Sequence, residues 1–138
     1  MRRYLSLVCL PLCAFALGAC SRAVSTAGFK GEQHEVAQAI ANLQSNATTG
    51  EEKKICKEQL AAAVVTRLGG LAGCEKAIKN QLNEIDSLEL TVEAVHTTVA
   101  GKSATAEVKS IYEGKKHTSK VTLLKEGKDW KISQLSAF

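Results

Sequence analysis

Residues 86–99 read DSLELTVEAVHTTV, and this stretch decides the fold. Before it, apolar residues recur every three or four positions. Within it, they alternate. Leu88, Leu90 and Val92 share one parity, with Glu89, Thr91 and Glu93 between them, which is the period of a half-buried strand. The parity then slips to Val95, Thr97 and Val99, which predicts a β-bulge near Ala94. Alternation returns three more times: at Ala104, Ala106 and Val108, at Val121 and Leu123, and at Trp130 and Ile132. Glycine-bearing turns at 100–102, 113–115 and 126–129 separate these runs, so four strands in an antiparallel meander are expected.

Upstream the pattern is helical. Val36, Ile40 and Leu43 form a stripe that starts after Glu32 and Glu35, where the helix dipole favours acids, and stops in NATTG, residues 46–50. Thr48-Thr49-Gly50-Glu51 has the form of a capping box for a second helix, expected to run to about Leu68 and stop at Gly69-Gly70. Cys56, Leu60, Val64 and Leu68 recur every four residues along it. A third helix is expected from about Cys74 to Ile85, with Cys74, Ile78, Leu82 and Ile85 on one face. Helices followed by strands make an α+β order, solved by about three helices packed on one face of a curved four-stranded sheet.

The N-terminus is a targeting segment. Arg2 and Arg3 precede an apolar run, Tyr4 to Leu17, which is shorter than a membrane-spanning helix and is interrupted by Pro11. Leu17-Gly18-Ala19-Cys20 resembles a bacterial lipobox. The resemblance implies cleavage before Cys20 and a diacylglyceryl group on its thiol, so that the chain divides into a signal peptide (1–19), a lipidated cysteine with a short tether (20–31) and a domain (32–138). Two acyl chains anchor firmly, so the expected partner is a membrane held through Cys20. Ser21 in the next position implies the outer membrane where a cell has one. The paired arginines also match the twin-arginine export route loosely. Asn46-Ala47-Thr48 is a glycosylation sequon without meaning in a bacterial lipoprotein.

Of five cysteines, Cys9 and Cys13 leave with the signal and Cys20 is lipidated, so Cys56 and Cys74 remain as an even pair in an exported domain. Each lies on the apolar stripe of its helix, which predicts a Cys56–Cys74 disulfide. Two cysteines at this spacing lack the other ligands that zinc needs, so no metal site is expected.

Composition bounds the function. The chain has 138 residues, 45% apolar and 4% aromatic, which predicts one domain with a core of Ala, Val, Leu and Ile. From Cys20 onward sixteen basic and fourteen acidic residues leave a net charge of +2, too little to imply nucleic acid. Residues 32–93 carry ten acids and six bases, whereas residues 101–138 carry eight lysines and four acids. That asymmetry reads as two solvated faces of opposite sign, or as a lysine face turned to anionic lipid or an acidic partner.

The domain resembles small exported bacterial proteins of the nuclear-transport-factor-two-like superfamily, cone-shaped α+β rolls, over residues 32–135. The resemblance rests on ICKEQL to GCEKAIKNQL, on SLELTVEAVHTTVAGKSATAEV and on VTLLKEGKDWKI. One departure is that only Leu71-Ala72-Gly73 stand between the second and third helices, where many enzymes of the superfamily insert a strand or hairpin. Catalytic members place an Asp or His base in the cone opposite hydrogen-bond donors. Here the best-placed base is His96, beside the expected bulge and directed inward only if the even parity faces in there, with Tyr112 as the acid. His34 and His117 are expected at the surface, and Asp86 and Asp129 in turns. No phosphate loop, Ser-His-Asp set or haem motif occurs, and no cofactor is expected. Trp130, Ile132 and Val92 are the residues expected to line a ligand pocket, although a lone tryptophan also serves as a core anchor. Three functions stay open: a membrane-anchored, non-enzymatic domain binding a small apolar ligand or an envelope protein, a ketosteroid-isomerase-like or cyclase-like enzyme using His96, and an envelope structural protein with a basic sheet face.

Overall fold

The computed structural model describes residues 24–85, 89–98, 101–112 and 114–135. The segment expected as a signal peptide (1–19), Cys20 and Asp86 lie outside them. Four helices precede a four-stranded antiparallel sheet of order β1-β2-β3-β4. The strands are β1 (Glu89–Thr97), β2 (Ser103–Tyr112), β3 (Lys115–Glu126) and β4 (Asp129–Leu135).

The strand pattern folds as the alternation requires. Leu90, Val92 and Val95 of β1 are buried, as are Ala104, Ala106 and Val108 of β2 and Val121 and Leu123 of β3. Val92 pairs with Val108 and Ala94 with Glu107, so Glu93 is the extra residue of a bulge. The bulge switches parity: Val95 turns into the core and His96 turns out. A second irregularity, absent from the sequence expectation, lies between β3 and β4, where Thr122 pairs with Gln134 but Leu123 with Ile132.

α1 (Glu32–Thr48) lays Val36, Ala37, Ile40 and Leu43 against this sheet. Two of its carboxamides reach β1: Gln33 Nε2 donates to Val95 O at 3.1 Å, and Gln44 Oε1 accepts from Leu90 N at 3.0 Å. Because β1 is an edge strand, these side chains occupy backbone groups that another chain would otherwise pair with.

The expected second helix is three pieces. α2 (Glu52–Lys54) passes into one π-helical turn, Ile55–Gln59, closed by Leu60 N donating to Ile55 O at 3.0 Å. Leu60 and Ala61 are extended, and α3 (Ala62–Arg67) restarts the helix. The cause is tertiary. Leu60 bridges Ile132 in parallel, and Ala61 N donates to Ile132 O at 2.8 Å, so the break covers the free edge of β4. Two side chains from the sheet hold the broken ends. Lys131 Nζ donates to the Lys57 and Glu58 carbonyls, a cation at a helix C-terminus. Glu126 Oε1 accepts from Ala62 N at 3.0 Å, as the first turn of α3 requires.

Other local expectations are corrected. No capping box forms at Thr48–Glu51. Thr48 Oγ1 and Thr49 Oγ1 donate back to the Gln44 and Ser45 carbonyls, and Glu51 precedes α2 without a side-chain cap bond. Gly69, at φ +91°, does end α3, but α4 (Gly70–Asn83) starts at once. Leu71-Ala72-Gly73 therefore belong to its first turn, and a Cβ on Gly73 would lie 2.0 Å from the Leu68 carbonyl oxygen. Cys56 on the π turn and Cys74 on α4 are joined as a disulfide with their Cα atoms 6.1 Å apart, and both are buried. Val24 is buried in the core and Phe29 packs against it, so the packed domain reaches back to residue 24, ahead of the expected start at residue 32.

Candidate functional site

The sequence-predicted residues scatter. His96 is exposed, because the bulge hands the inward position to Val95. The enzyme expectation needed it inside the cone. His96 pairs with Thr105, seven residues along β2 from Tyr112, which places the two about 23 Å apart along the sheet. The Tyr112 side chain lies outside the described residues. Val92 and Ile132 are packed in the core and line none of the cavities described below.

The imidazole that the fold does take in is His117, half-buried with Nε2 closed off from solvent. It pairs in register with Ser110, which is fully buried, and Ser119 follows it on the same face of β3. The Oγ atoms of Ser110 and Ser119 have no hydrogen-bond partner. Period two signals this cluster, since residues 117 and 119 share the parity of Val121 and Leu123. The lysines beside His117 obscured it.

The expected basic sheet face is divided. Lys109 pairs with Glu93 at 3.4 Å, and Lys120 stands opposite Glu107 in register. Lys125 and Lys131 turn to the helical side. Lys125 Nζ lies 2.6 Å from Glu32 Oε1 and 5.5 Å from the centre of the Trp130 ring. The hydrogen bond it donates to the Glu32 carboxylate holds the Lys125 ammonium above the ordinary lysine value.

A cleft of about 650 Å³ lies between the outer face of α1, the π turn and the β3–β4 turn. On α1 it is lined by His34, Gln38, Asn42 and Asn46, a row at four-residue spacing that runs for about 18 Å. Gln38 Nε2 donates to Asn42 Oδ1 at 3.0 Å, which leaves the Gln38 oxygen and the Asn42 amide nitrogen for other partners. His34 Nδ1 lies 3.3 Å from the Thr26 carbonyl, which ties this end of the row to the N-terminal segment. Glu58 and Gln59 form the second wall, and Lys128 to Lys131 the third. Among the lining residues only Ala39 and Trp130 lack a charge, an imidazole or a carboxamide.

Two cleft-lining residues carry unanswered polar atoms. Trp130 is 5% exposed and its indole Nε1 has no hydrogen-bond acceptor; Gln59 is 4% exposed and its Oε1 has no donor. Buried polar groups left this way cost about 1–3 kcal/mol each, so they are uncommon without a use. The sequence marked Trp130 as a pocket residue but placed Gln59 inside a long helix, where nothing sets it apart from other surface glutamines.

A second cavity, of about 370 Å³, lies beside the disulfide between Leu60, Val65 and Leu71. Among the described residues no group of three or more His, Cys, Asp or Glu side chains is placed to hold a metal ion, and no helix is long and apolar enough to cross a membrane.

No protein-family model matches the chain, and no curated protein matches it. Among solved structures it is similar to the design Rd1NTF2_05 carrying five substitutions, at 15% identity and a TM-score of 0.53, over 77% of this chain and 98% of that one. A de novo designed protein with a curved β-sheet also matches, at 18% identity and a TM-score of 0.39, over 48% of this chain and 61% of that one. At 15% identity the first likeness concerns the fold alone: helices on a curved four-stranded antiparallel sheet, the nuclear-transport-factor-two-like architecture.

Proposed function

We propose that this protein is an exported, lipid-anchored binding domain whose site is the cleft between α1 and the β3–β4 turn. The observation that carries the site is the pair of buried, unpartnered atoms, Trp130 Nε1 and Gln59 Oε1, on residues that line one cleft. The lining is polar, so the ligand is a hydrophilic molecule rather than the small apolar one expected of a non-enzymatic binding domain. Anchoring rests on Leu17-Gly18-Ala19-Cys20. Only three residues separate Cys20 from buried Val24, so the lipid would hold the domain against the membrane surface.

Trp130 is the only tryptophan, which makes its fluorescence a direct probe of the cleft. Titrating the full-length chain in detergent with a panel of small hydrophilic metabolites and envelope fragments should shift or quench Trp130 emission for a true ligand. No response across the panel would overturn the cleft as the site. Separately, Cys20→Ser should release the protein from membranes or leave it unprocessed. A variant that is cleaved and anchored as before would overturn the lipid anchor.

A further inference from the structure

Resting on the lipid anchor at Cys20, we infer that the domain docks on anionic phospholipid headgroups through the end at which α1 begins, with Lys30, Lys102 and Lys128 as its contacts. The chain fixes which end this is. Val24 is buried in the core, and the backbone from Cys20 to Val24, fully extended, reaches about 14 Å. A lipid on Cys20 therefore keeps the surface around Val24 at the membrane. Four links gather that surface. His34 Nδ1 lies 3.3 Å from the Thr26 carbonyl, and Gln33 Nε2 donates to Val95 O at 3.1 Å. Lys125 Nζ pairs with Glu32 at 2.6 Å, and Lys125 N donates to Lys102 O at 2.9 Å. The segment before α1, the first turn of α1 and the ends of the β1–β2 and β3–β4 hairpins thus meet at one end of the fold.

Each loop at this end presents a lysine: Lys30 before α1, Lys102 between β1 and β2, and Lys128 between β3 and β4. All three are exposed, and none of them is in an ion pair among the described residues. The acids here are engaged elsewhere. Glu32 holds Lys125, Glu126 accepts from Ala62 N, and Glu35 and Asp129 line the cleft. Ser25, Ala27 and Gly28 are exposed and small, so a flat surface can approach closely. A lysine at an anionic membrane contributes about five-fold, and a tether this short holds all three there at high effective concentration. His34 and Lys128 both line the cleft, so docking brings that end of it to the membrane surface. The opposite end of the fold supplies a control of equal charge type. Lys115 and Lys116 are also exposed but start β3, whose 12 residues set them about 37 Å from Glu126.

The test is lysine footprinting of the lipidated protein, purified from membranes and reconstituted into vesicles of phosphatidylcholine alone or mixed with phosphatidylglycerol. A water-soluble acylating ester is applied and each lysine's rate is read by peptide mass spectrometry. Lys30, Lys102 and Lys128 should react about five-fold more slowly on the anionic vesicles, Lys115 and Lys116 at an unchanged rate, and about 0.5 M salt should abolish the difference. A headgroup spin label should quench Trp130, two residues from Lys128, in the wild type and in Lys115→Gln with Lys116→Gln. It should quench less in the triple variant Lys30→Gln, Lys102→Gln, Lys128→Gln. Equal rates on the two vesicles, slowing at Lys115 and Lys116 to the same extent, slowing that survives salt, or wild-type quenching in the triple variant overturns the inference. If the protein stays on the vesicles through any of these outcomes, the docked end falls and the anchor stands. If it leaves them once detergent is removed, both fall.

Discussion

The sheet, residues 89–135, and the cysteine-bearing helical segment, residues 52–83, were equally patterned in sequence but differ in how they folded. In the sheet, alternation fixed which residues face inward, and the parity slip expected near Ala94 became a bulge whose extra residue is Glu93. In the helical segment, apolar residues four apart predicted an unbroken second helix to about Leu68, yet the chain is broken at Leu60–Ala61. The difference is one of reach. A strand's inward face is set by period two within the strand itself. A helix with spacing of four keeps its own hydrogen bonds only until an outside partner offers better ones. Here the outer edge of β4, more than sixty residues later, accepts the extended segment, and the disulfide and the sheet's own Lys131 and Glu126 hold it there.

This contrast can be broken at the point where the two regions meet. Ile132 is 1% exposed and bridges Leu60, so Ile132→Ala should cost about 2–5 kcal/mol in denaturant unfolding and should also loosen the 57–62 segment, read by faster amide exchange at Ala61. If exchange at Ala61 is unaltered, the break does not depend on β4.

Removing the staple tests the helical segment by itself. The disulfide closes a loop between residues 18 apart, and the double variant Cys56→Ser, Cys74→Ser should lose about 3 kcal/mol. The sheet should keep its strand circular dichroism below the unfolding transition. Loss of both signals together would mean that the two regions fold as one unit.

Gly73→Ala probes the short joint between α3 and α4. Its Cβ would meet the Leu68 carbonyl at 2.0 Å, so a shift of α4 is required and a cost of about 1–3 kcal/mol is expected. Alanine at Gly28, where a Cβ meets nothing, is the control and should be neutral.

The smallest effect concerns Lys125, which links α1 to the β3–β4 turn through Glu32 and Trp130. Its pKa is raised in the folded state by the Glu32 hydrogen bond, so the folded protein holds this proton more tightly than the unfolded chain. The stabilisation is complete below the ordinary lysine pKa of about 10.4 and is lost as pH rises through the higher folded value. Thermal melts should therefore show an alkaline decline that Glu32→Gln removes, with a small change at neutral pH because the pair is solvent-screened.

The same contrast explains what was legible about the site. Trp130 could be picked out because it is a lone indole at the head of a strand. Gln59 could not, because its burial comes from the helix break and not from its neighbours in sequence. His117 was legible in principle from period two but was assigned to the surface by its lysine neighbours. His96 looked promising because it sits beside the bulge, and it is the bulge that turns it outward.

By itself the sequence determined the order of helices and strands, the meander, the inward parity of each strand, the β1 bulge and the position of α1. All of these follow from patterns read within one element. Tertiary structure decided the break at Leu60–Ala61, the early start of α4, the docking of Val24 and the cleft. Each depends on groups far apart in the chain that compete for the same hydrogen bonds or the same buried space, and no local period records the outcome of that competition.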